Sequence, residues 1–406
     1  MKKNVVSIVV PCYNGEQFVE RFCTTILEQT YKKIQLIIVN DGSIDGTEEQ
    51  LKNYEEKLKQ ELVEYIYVKK ENGGQASAIN VGLQYVAGEY LMWFDIDDLM
   101  SSLHVEKKMQ YLQNNVWCDI VRCKGYCFDE NDLDNPICIL GDEEKVGTLF
   151  EDILLEQCIC YPGLYMVRTE RLLQRLNDRK IYEEKKSQNH QLLLPISLEN
   201  NVGFLEDRLF YYIIREDSYS HSWRGGLRMR ERLDNIYDIK MHVLKELPLA
   251  KDYFEFLSRQ LELCFLRYRL ANIDEEIIAA DKAYVAQICK AYLDYGNVIE
   301  MAANRKIFIW GWCDFSRKIK ENLERFIPLE FGGYIESDYG KVISVKEDVV
   351  LHRSKINKSE IYVIIPLNYH PDIVDILNEN GLEEDVDYYY PKEKLREKYV
   401  GEKINT

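Results

Sequence analysis

The start of the chain alternates two hydrophobic rhythms. Val5 to Val10 is an apolar, largely β-branched run, which predicts a buried strand. Glu16 to Gln29 follows with Phe18, Val19, Phe22, Ile26 and Leu27 on one helical face. Leu36 to Val39 is a second strand, closed by the turn residues Asn40-Asp41-Gly42-Ser43. From Thr47, Leu51, Tyr54 and Leu58 fall in helical register. Tyr65 to Val68, a break at Asn72-Gly73-Gly74, a short helix over Ala76 to Val86 and a strand over Tyr90 to Phe94 complete the series. Strands alternating with helices predict a mainly parallel sheet covered on both faces, with ligands at the carboxyl ends of its strands. Polar groups collect there: Tyr13-Asn14, Asp41, and Asp95 to Asp98.

The rhythm then becomes helical. Leu233 to Leu247, Phe254 to Tyr268 and Ile277 to Tyr292 each repeat at helical spacing, and Gly296 follows the last. Arg224, Arg228, Arg230 and Arg232 stand at the front of this stretch, as a solvated helix face or a contact for phosphate or an anionic membrane surface. The last hundred residues return to α/β alternation. Strands are expected over Ile307 to Trp310, Gly333 to Ile335 and Ile361 to Ile365, and helices over Ser316 to Phe326 and Pro371 to Asn380. The expected division is 1–223, 224–300 and 301–406.

Composition narrows the function classes. At 406 residues, 46% hydrophobic and 30% charged, this is globular composition. A net charge of −17 argues against a nucleic-acid partner. No apolar run approaches the roughly 20 residues that span a bilayer, and Met1 to Val10 reads as a strand, not a signal peptide. Eleven scattered cysteines suit reduced core thiols, hence a cytoplasmic setting. Cys158 with Cys160, or Cys123 with Cys127, has no second pair at zinc spacing.

Asp95-Ile96-Asp97-Asp98 is the sharpest chemical signal. Carboxylates crowded at one strand end repel each other unless a cation joins them. Hard oxygen ligands suit magnesium or manganese with a bound diphosphate. The competing reading is helix capping by Asp97 or Asp98.

Three further motifs precede it in order: Val6-Ser7-Ile8-Val9-Val10-Pro11-Cys12-Tyr13-Asn14, Val39-Asn40-Asp41-Gly42-Ser43, and Asn72-Gly73-Gly74-Gln75 running to Asn80. The series closely resembles family 2 glycosyltransferases of the GT-A fold, over about the first 220 residues. The fold class expected is therefore α/β: a GT-A, Rossmann-like nucleotide-diphospho-sugar transferase domain, a helical segment and a small α/β domain. The resemblance implies an inverting transferase that uses a nucleotide-sugar donor, a divalent cation (Mn2+ or Mg2+) and a glycan, lipid-linked or glycoprotein acceptor. By the same resemblance Pro11, Tyr13 and Asp41 hold base and ribose, with Asn14 beside them, and a carboxylate at Asp41 can accept from a uracil N–H. Gly73 and Gly74 let backbone approach the donor. Asp95 lies near ribose and diphosphate and joins Asp97 in binding the metal, and Arg215 or His221 contacts diphosphate or metal. Asn80 is structural, and Cys160 to Tyr165 matches the acceptor side.

An inverting transfer needs a base for the acceptor hydroxyl. Where the family carries an acidic pair at a helix start, this chain has Gln188-Asn189. An amide has no useful basicity, and Asn189 would serve as a helix N-cap. His190, Asp207, Glu183 or Glu184 could be the base, the transfer could be assisted by water or substrate, or the domain could be inactive. The leading expectation is an active enzyme of surface-glycan synthesis at the inner membrane face, with peripheral membrane contact and homo-oligomerisation compatible. The alternative is a non-catalytic nucleotide-sugar or glycan-binding assembly partner. A nucleotidyltransferase is disfavoured, because Pro11-Cys12-Tyr13-Asn14 is not a glycine-rich phosphate loop. In the last segment Gly311 and Glu336 echo a dinucleotide fingerprint whose second and third glycines are missing, so docking or oligomerisation is the expected role there.

Overall fold

The computed structural model describes residues 1–141, 148–183, 187–215, 225–295, 298–302, 305–327, 329–344, 349–357, 359–366, 371–383 and 388–389. Two compact units divide the chain: Met1–His221 with Asp238–Leu247, and Ser222–Tyr237 with Pro248–Thr406.

In the first unit the opening elements run β1 (Lys2–Cys12), α1 (Glu16–Leu27), β2 (Ile34–Asn40), α2 (Thr47–Glu61), β3 (Glu64–Lys69), α3 (Gln75–Tyr85) and β4 (Gly88–Trp93). Then come β5 (Leu99–Met100), α4 (His104–Asn114), β6 (Ile120–Asp129), β7 (Cys138–Leu140), α5 (Leu149–Leu154), β8 (Tyr165–Arg168), α6 (Thr169–Leu173), α7 (Gln188–Ser197) and β9 (Val202–Ile214). One sheet takes the order β3-β2-β1-β4-β8-β6-β9-β5, with β7 on β6. β3, β2, β1 and β4 pair in parallel. Beyond β4 the sheet is mixed: β8 is antiparallel to β4 and β6, while β6 and β9 are parallel.

Residues Val5 to Cys12 are all buried, as are all of Ile34 to Asn40. Helices cover both faces of a parallel sheet, so its central strands read as continuous apolar runs. The order reverses at β1: the chain goes to β2 on one side and later returns to β4 on the other. The crevice at the carboxyl ends of β1 and β4 is thus the topological switch point. Pro11 to Asn14 and Asp95 both issue into it.

α8 (Gly226–Glu246) contributes to both units. The second unit continues with α9 (Lys251–Ala271), α10 (Glu275–Ala280), α11 (Lys282–Tyr295), α12 (Val298–Ala302), β10 (Lys306–Trp310), α13 (Asp314–Phe326), β11 (Phe331–Glu336), α14 (Tyr339–Ser344), β12 (Val350–His352), β13 (Ile361–Ile364), α15 (Pro371–Glu379) and β14 (Tyr388–Tyr389). Its sheet is parallel throughout, ordered β12-β11-β10-β13-β14. Leu263, Leu270, Cys289 and Tyr292 of the helices share a core with Ile309, Ile319 and Tyr334. The pattern expected to form one helix over Ile277 to Tyr292 is two. Asp281 ends α10, and its Oδ1 accepts from Tyr284 N–H at 2.9 Å to cap the next helix. Arg230 is tied down by Asp281 and by the Tyr284 ring, 3.5 Å from its guanidinium carbon, whereas Arg228 and Arg232 are exposed; Arg224 lies outside the described residues.

Among the described residues no helix is long and apolar enough to cross a membrane.

Candidate functional site

The carboxyl end of β1 meets that of β2 through Asp41. Asp41 N–H donates to Cys12 O at 2.8 Å, and the side chain is buried. Its Oδ1 accepts from Lys70 Nζ at 2.7 Å and Gly73 N–H at 3.0 Å, and its Oδ2 from Gly74 N–H at 2.7 Å. Gly74 stands at φ 87°, where a side chain would be strained. The amides of Gly73 and Gly74 are therefore turned inward to Asp41, which organises the loop. Asn40 fixes the adjoining turn, its Oδ1 accepting from Ser43 N–H at 2.8 Å and its Nδ2 donating to Tyr67 Oη at 2.9 Å. Asn14, at φ 49°, is locked the same way: Ser43 Oγ accepts from its N–H at 2.9 Å, and its Oδ1 accepts from Ile44 N–H at 3.0 Å. Pro11 is buried and Tyr13 is exposed beside them.

At the end of β4 the three carboxylates converge. One oxygen from each of Asp95, Asp97 and Asp98 lies within 4.8 Å of the others, the one such group of metal-ligating side chains among the described residues. Among the described residues, Cys158, Cys160, Cys123 and Cys127 belong to no cluster of that kind. Each carboxylate has its own anchor. Asp95 Oδ1 accepts from Gln75 Nε2 at 2.7 Å. Asp98 Oδ1 accepts from Ile213 N–H of β9 at 3.1 Å. Asp97 Oδ2 accepts from Arg215 Nη2 at 2.6 Å, and Asp97 O from Arg21 Nη2 at 2.6 Å. Both guanidiniums lie over the Phe18 ring. Neither Asp97 nor Asp98 caps a helix, since the next one begins at His104 after β5.

Burial, then the charge of Asp97, pushes the Asp95 carboxyl up to about 7. The same causes push Asp98 well above the usual carboxylate range. Charge held at such a cost is what a cation relieves. Three hard oxygen donors at this spacing fit a divalent ion, without distinguishing which one. Asp98, absent from the sequence-derived ligand set, is the most buried of the three; its signal was its place in the Asp-x-Asp-Asp run.

The Cys160 to Tyr165 segment, expected at the acceptor side, packs against β9. Tyr161 packs on Tyr212 with ring centroids 4.3 Å apart, and a side chain at Gly163 would strike the Phe210 ring. Lys108 Nζ, fully buried, donates to Gly163 O at 2.7 Å and to His104 Nε2 at 3.0 Å.

α7 starts after Ser187, at φ 77°, so Asn189 is inside the helix rather than its N-cap. Asn189 Oδ1 accepts from Trp93 Nε1 at 2.8 Å. Asn80 is structural: it donates to Ile181 O and Glu183 Oε1, both at 2.8 Å, and accepts from Ile181 N–H at 2.8 Å. His190 pairs with Glu156, a residue the sequence did not single out. Asp207 pairs with Lys107. His221 and Glu184 lie outside the described residues.

Comparison with known proteins agrees with this geometry. Residues 7–168 match the model of glycosyl transferase family 2. The minor teichoic acid biosynthesis protein GgaB of Bacillus subtilis is 26% identical over 378 residues, covering 87% of this chain and 40% of its own length. Glycosyltransferase GlyA of Streptococcus pneumoniae is 31% identical over 233 residues, covering 54% of this chain and 32% of its own. A Haemophilus influenzae glycosyltransferase is 30% identical over 184 residues, covering 45% and 54%. The chain thus spans about half, or less, of the length of these relatives. Among solved structures, S. aureus TarS 1-349 in complex with UDP-GlcNAc superposes with a TM-score of 0.53 at 18% identity, covering 79% of this chain and 89% of that one, a likeness of fold. Its ordered motifs, its switch-point carboxylates and the match over residues 7–168 make that stretch similar to glycosyl transferase family 2, and a helical region and a second small sheet follow the GT-A-type domain.

Proposed function

We propose that this chain transfers a sugar, with inversion, from a nucleotide-diphosphate donor to a hydroxyl of a glycan, lipid-linked or protein-linked acceptor. The observation that carries the reading is the convergence of Asp95, Asp97 and Asp98 at the switch point, facing the Pro11 to Asn14 turn and the Asp41 hub. A UDP-sugar is the favoured donor class, in keeping with the UDP-GlcNAc bound by the TarS structure. A surface polymer of the teichoic-acid type is the favoured product, in keeping with GgaB. A cytoplasmic setting at the inner membrane face goes with that reading. The three-part division near residues 223 and 300 is proposed with it, the last part serving as an accessory module.

Asp95, Asp97 and Asp98 would hold a divalent cation, which as a Lewis acid offsets the charge gathering on a leaving diphosphate. The chain's own groups do the rest. Tyr13 offers an exposed ring beside the base position. Asp41 keeps the Gly73-Gly74 loop in place, and the one lone pair left on its Oδ2 would accept from a pyrimidine N–H. Arg215 and Arg21 supply fixed positive charge beside Asp97, on the path of the diphosphate.

Nucleotide release from a panel of UDP-sugars, with and without manganese, tests the reading. Asp97→Ala should abolish metal-dependent turnover and leave the melting temperature within ~3 °C of wild type. Full activity in that variant would remove Asp97 from the mechanism. One observation favours a second reading, a non-catalytic donor-binding partner: the Gln188-Asn189 pair, whose amide is spent on Trp93. Manganese-dependent donor binding with no nucleotide release from any donor would support it.

A further inference from the structure

The substituted pair leaves the acceptor hydroxyl without its expected carboxylate. Three of the alternatives are committed elsewhere or lie outside the described residues. Asp207 is ion-paired with Lys107, six residues before Ile213, about 20 Å along β9 from the residue that binds Asp98. Glu183 accepts from the structural Asn80. Glu184 is not among the described residues.

His190 stands apart because a built network backs it. Its Nε2 is 3.4 Å from Glu156 Oε1. The same carboxylate is ion-paired with Lys240, whose side chain is completely buried. The Lys240 ammonium also donates to Ile153 O at 2.5 Å and Leu154 O at 2.9 Å, the last carbonyls of α5. Its three donors are thereby used, and the carboxylate has little freedom. Glu156 is held at φ 58°, in the left-handed region that is strained for a non-glycine residue. Burial works to raise the Glu156 carboxyl, but Lys240 and His190 together hold it below the usual carboxylate range, so it faces the imidazole as an anion. An ionised carboxylate on one imidazole nitrogen orients the ring and offsets the charge of an imidazolium, the arrangement of an oriented base.

Two links through neighbouring residues connect the network to the site. Asn189, next to His190, is bonded to Trp93, two residues before Asp95. The segment after Glu156 leads to Tyr161, stacked on Tyr212 beside Ile213.

We propose that His190 accepts the proton of the attacking hydroxyl in place of the substituted carboxylate, with Glu156, fixed by Lys240, as its positioning residue. The inference rests on the glycosyl-transfer reading. As the hydroxyl oxygen bonds to the sugar's anomeric carbon, the bond from that carbon to the diphosphate oxygen breaks and its electron pair leaves with the diphosphate. The hydroxyl proton passes to His190 Nδ1, while Nε2–H stays on Glu156. The ring keeps 14% side-chain exposure and Nδ1 itself lies beneath the surface, so the proposed transfer requires that edge to open when the acceptor enters.

The test is nucleotide release by the full chain from UDP-sugars with manganese, water serving as acceptor, with donor binding followed by calorimetry. His190→Ala should lower kcat by about 100-fold or more while donor KM stays within ~3-fold. Added imidazole should restore at least about tenfold of that loss, which a structural role would not allow. Asn189→Asp introduced into the His190→Ala background should recover turnover by returning the carboxylate. Glu156→Gln should lower kcat by about tenfold at unchanged donor affinity. His190→Ala retaining wild-type kcat would sink this inference and leave the transferase reading standing. So would a loss that neither imidazole nor Asn189→Asp repairs, or one accompanied by loss of donor binding. A wild-type chain that binds donor and never releases nucleotide removes the transferase reading and this inference with it.

Discussion

Arg215 Nη2 donates to Asp97 Oδ2 at 2.6 Å, so the carboxylate expected to hold a cation already holds a guanidinium. The pair is largely shielded, at 12% and 29% side-chain exposure. A metal arriving without donor must compete with that hydrogen bond and with the field of Arg21 nearby. Arg215→Ala is expected to tighten manganese binding in the absence of donor by about tenfold, equivalent to ~1.4 kcal/mol. The same variant should weaken binding of UDP in the presence of manganese, since diphosphate loses a positive partner. Calorimetry with manganese alone, then with UDP, reads both; an unchanged metal affinity would mean that Arg215 does not oppose the ion.

Asp98 combines deep burial, two acidic neighbours and a single backbone donor, Ile213 N–H. Asparagine keeps the acceptor for that N–H and removes the charge. Asp98→Asn should therefore stabilise the metal-free protein by about 1–2 kcal/mol in urea unfolding. It should also lower metal-dependent turnover by about 100-fold or more. A variant less stable than wild type would show that the carboxylate is not held against its own repulsion.

Asp41 is a hub of the opposite kind, with partners for both oxygens. Asp41→Ala leaves two amides and the half-shielded Lys70 ammonium without their acceptor. The expected cost is about 2–4 kcal/mol, with faster proteolysis at residues 72–74. Asp41→Asn, which retains one acceptor oxygen, should cost less than half as much. Equal losses would place the effect on charge alone.

Some of this was legible in the sequence and some was not, for physical reasons. Strands β1 to β4 announced themselves because both faces are covered, so Val5–Val10 and Leu36–Val39 carry no polar interruption but a buried serine. Strand β9 escaped, since its half-exposed residues carry no clear alternation and its partner β6 lies far back in the chain. The carboxylate run was visible as chemistry, but the anchor of Asp98 is 115 residues away. Glu156 and Lys240 left no trace, because a contact between residues 84 apart, made by a carboxylate on a loop and a lysine on a helix, has no periodic signature. The break at Asp281 was missed because a capping aspartate inside an apolar helical pattern looks like any exposed polar position.

The buried thiols are expected to contribute to a loss of stability at alkaline pH. Cys23 is fully buried, and burial pushes it up to about 12 from 9.0. Burial likewise pushes Cys12 and Cys289 up to about 12, with Asp45 adding to the effect at Cys12. A folded-state acid with a raised pKa keeps its proton while the unfolded chain loses it. Its stabilisation is complete below the unfolded value, near 9, and is lost as pH rises toward 12. Each such thiol should remove about 1.4 kcal/mol per pH unit in that window. Lys108, lowered to about 8 by burial, acts in the opposite sense between 8 and 10.5, but it is one group against several. Cys23→Ala should be less stable than wild type at pH 7.5, by about 1 kcal/mol. By pH 10 the gap should close or reverse. A gap independent of pH would mean that Cys23 ionises in the folded protein as readily as in the unfolded one.

The parallel sheet of the second unit has the strand order that often receives dinucleotides, yet Glu336 works against that use. It ends β11, is largely buried, and sends its carboxylate back across the first turn: Oε2 accepts from Trp312 N–H at 3.3 Å and Oε1 from Ser337 N–H at 2.9 Å. Trp312 follows Gly311 in the turn where a pyrophosphate would seek backbone amides, and Asp314 adds a negative charge in the first turn of α13. An anion there would have to displace carboxylates already ion-paired with Lys341 and Arg317, and would lack the amide that Glu336 already holds. NAD, NADP and FAD at ~1 mM are therefore expected to shift the melting temperature by less than about 1 °C. Glu336→Ala should cost about 1–2 kcal/mol by leaving two turn amides without an acceptor, and should not create dinucleotide affinity, because Asp314 and the side chains of Trp312 and Cys313 remain where glycines would be needed. A clear stabilisation of the wild type by any of the three would show that Glu336 swings out to receive the ribose, and the docking or oligomerisation role expected of this segment would give way to a binding one.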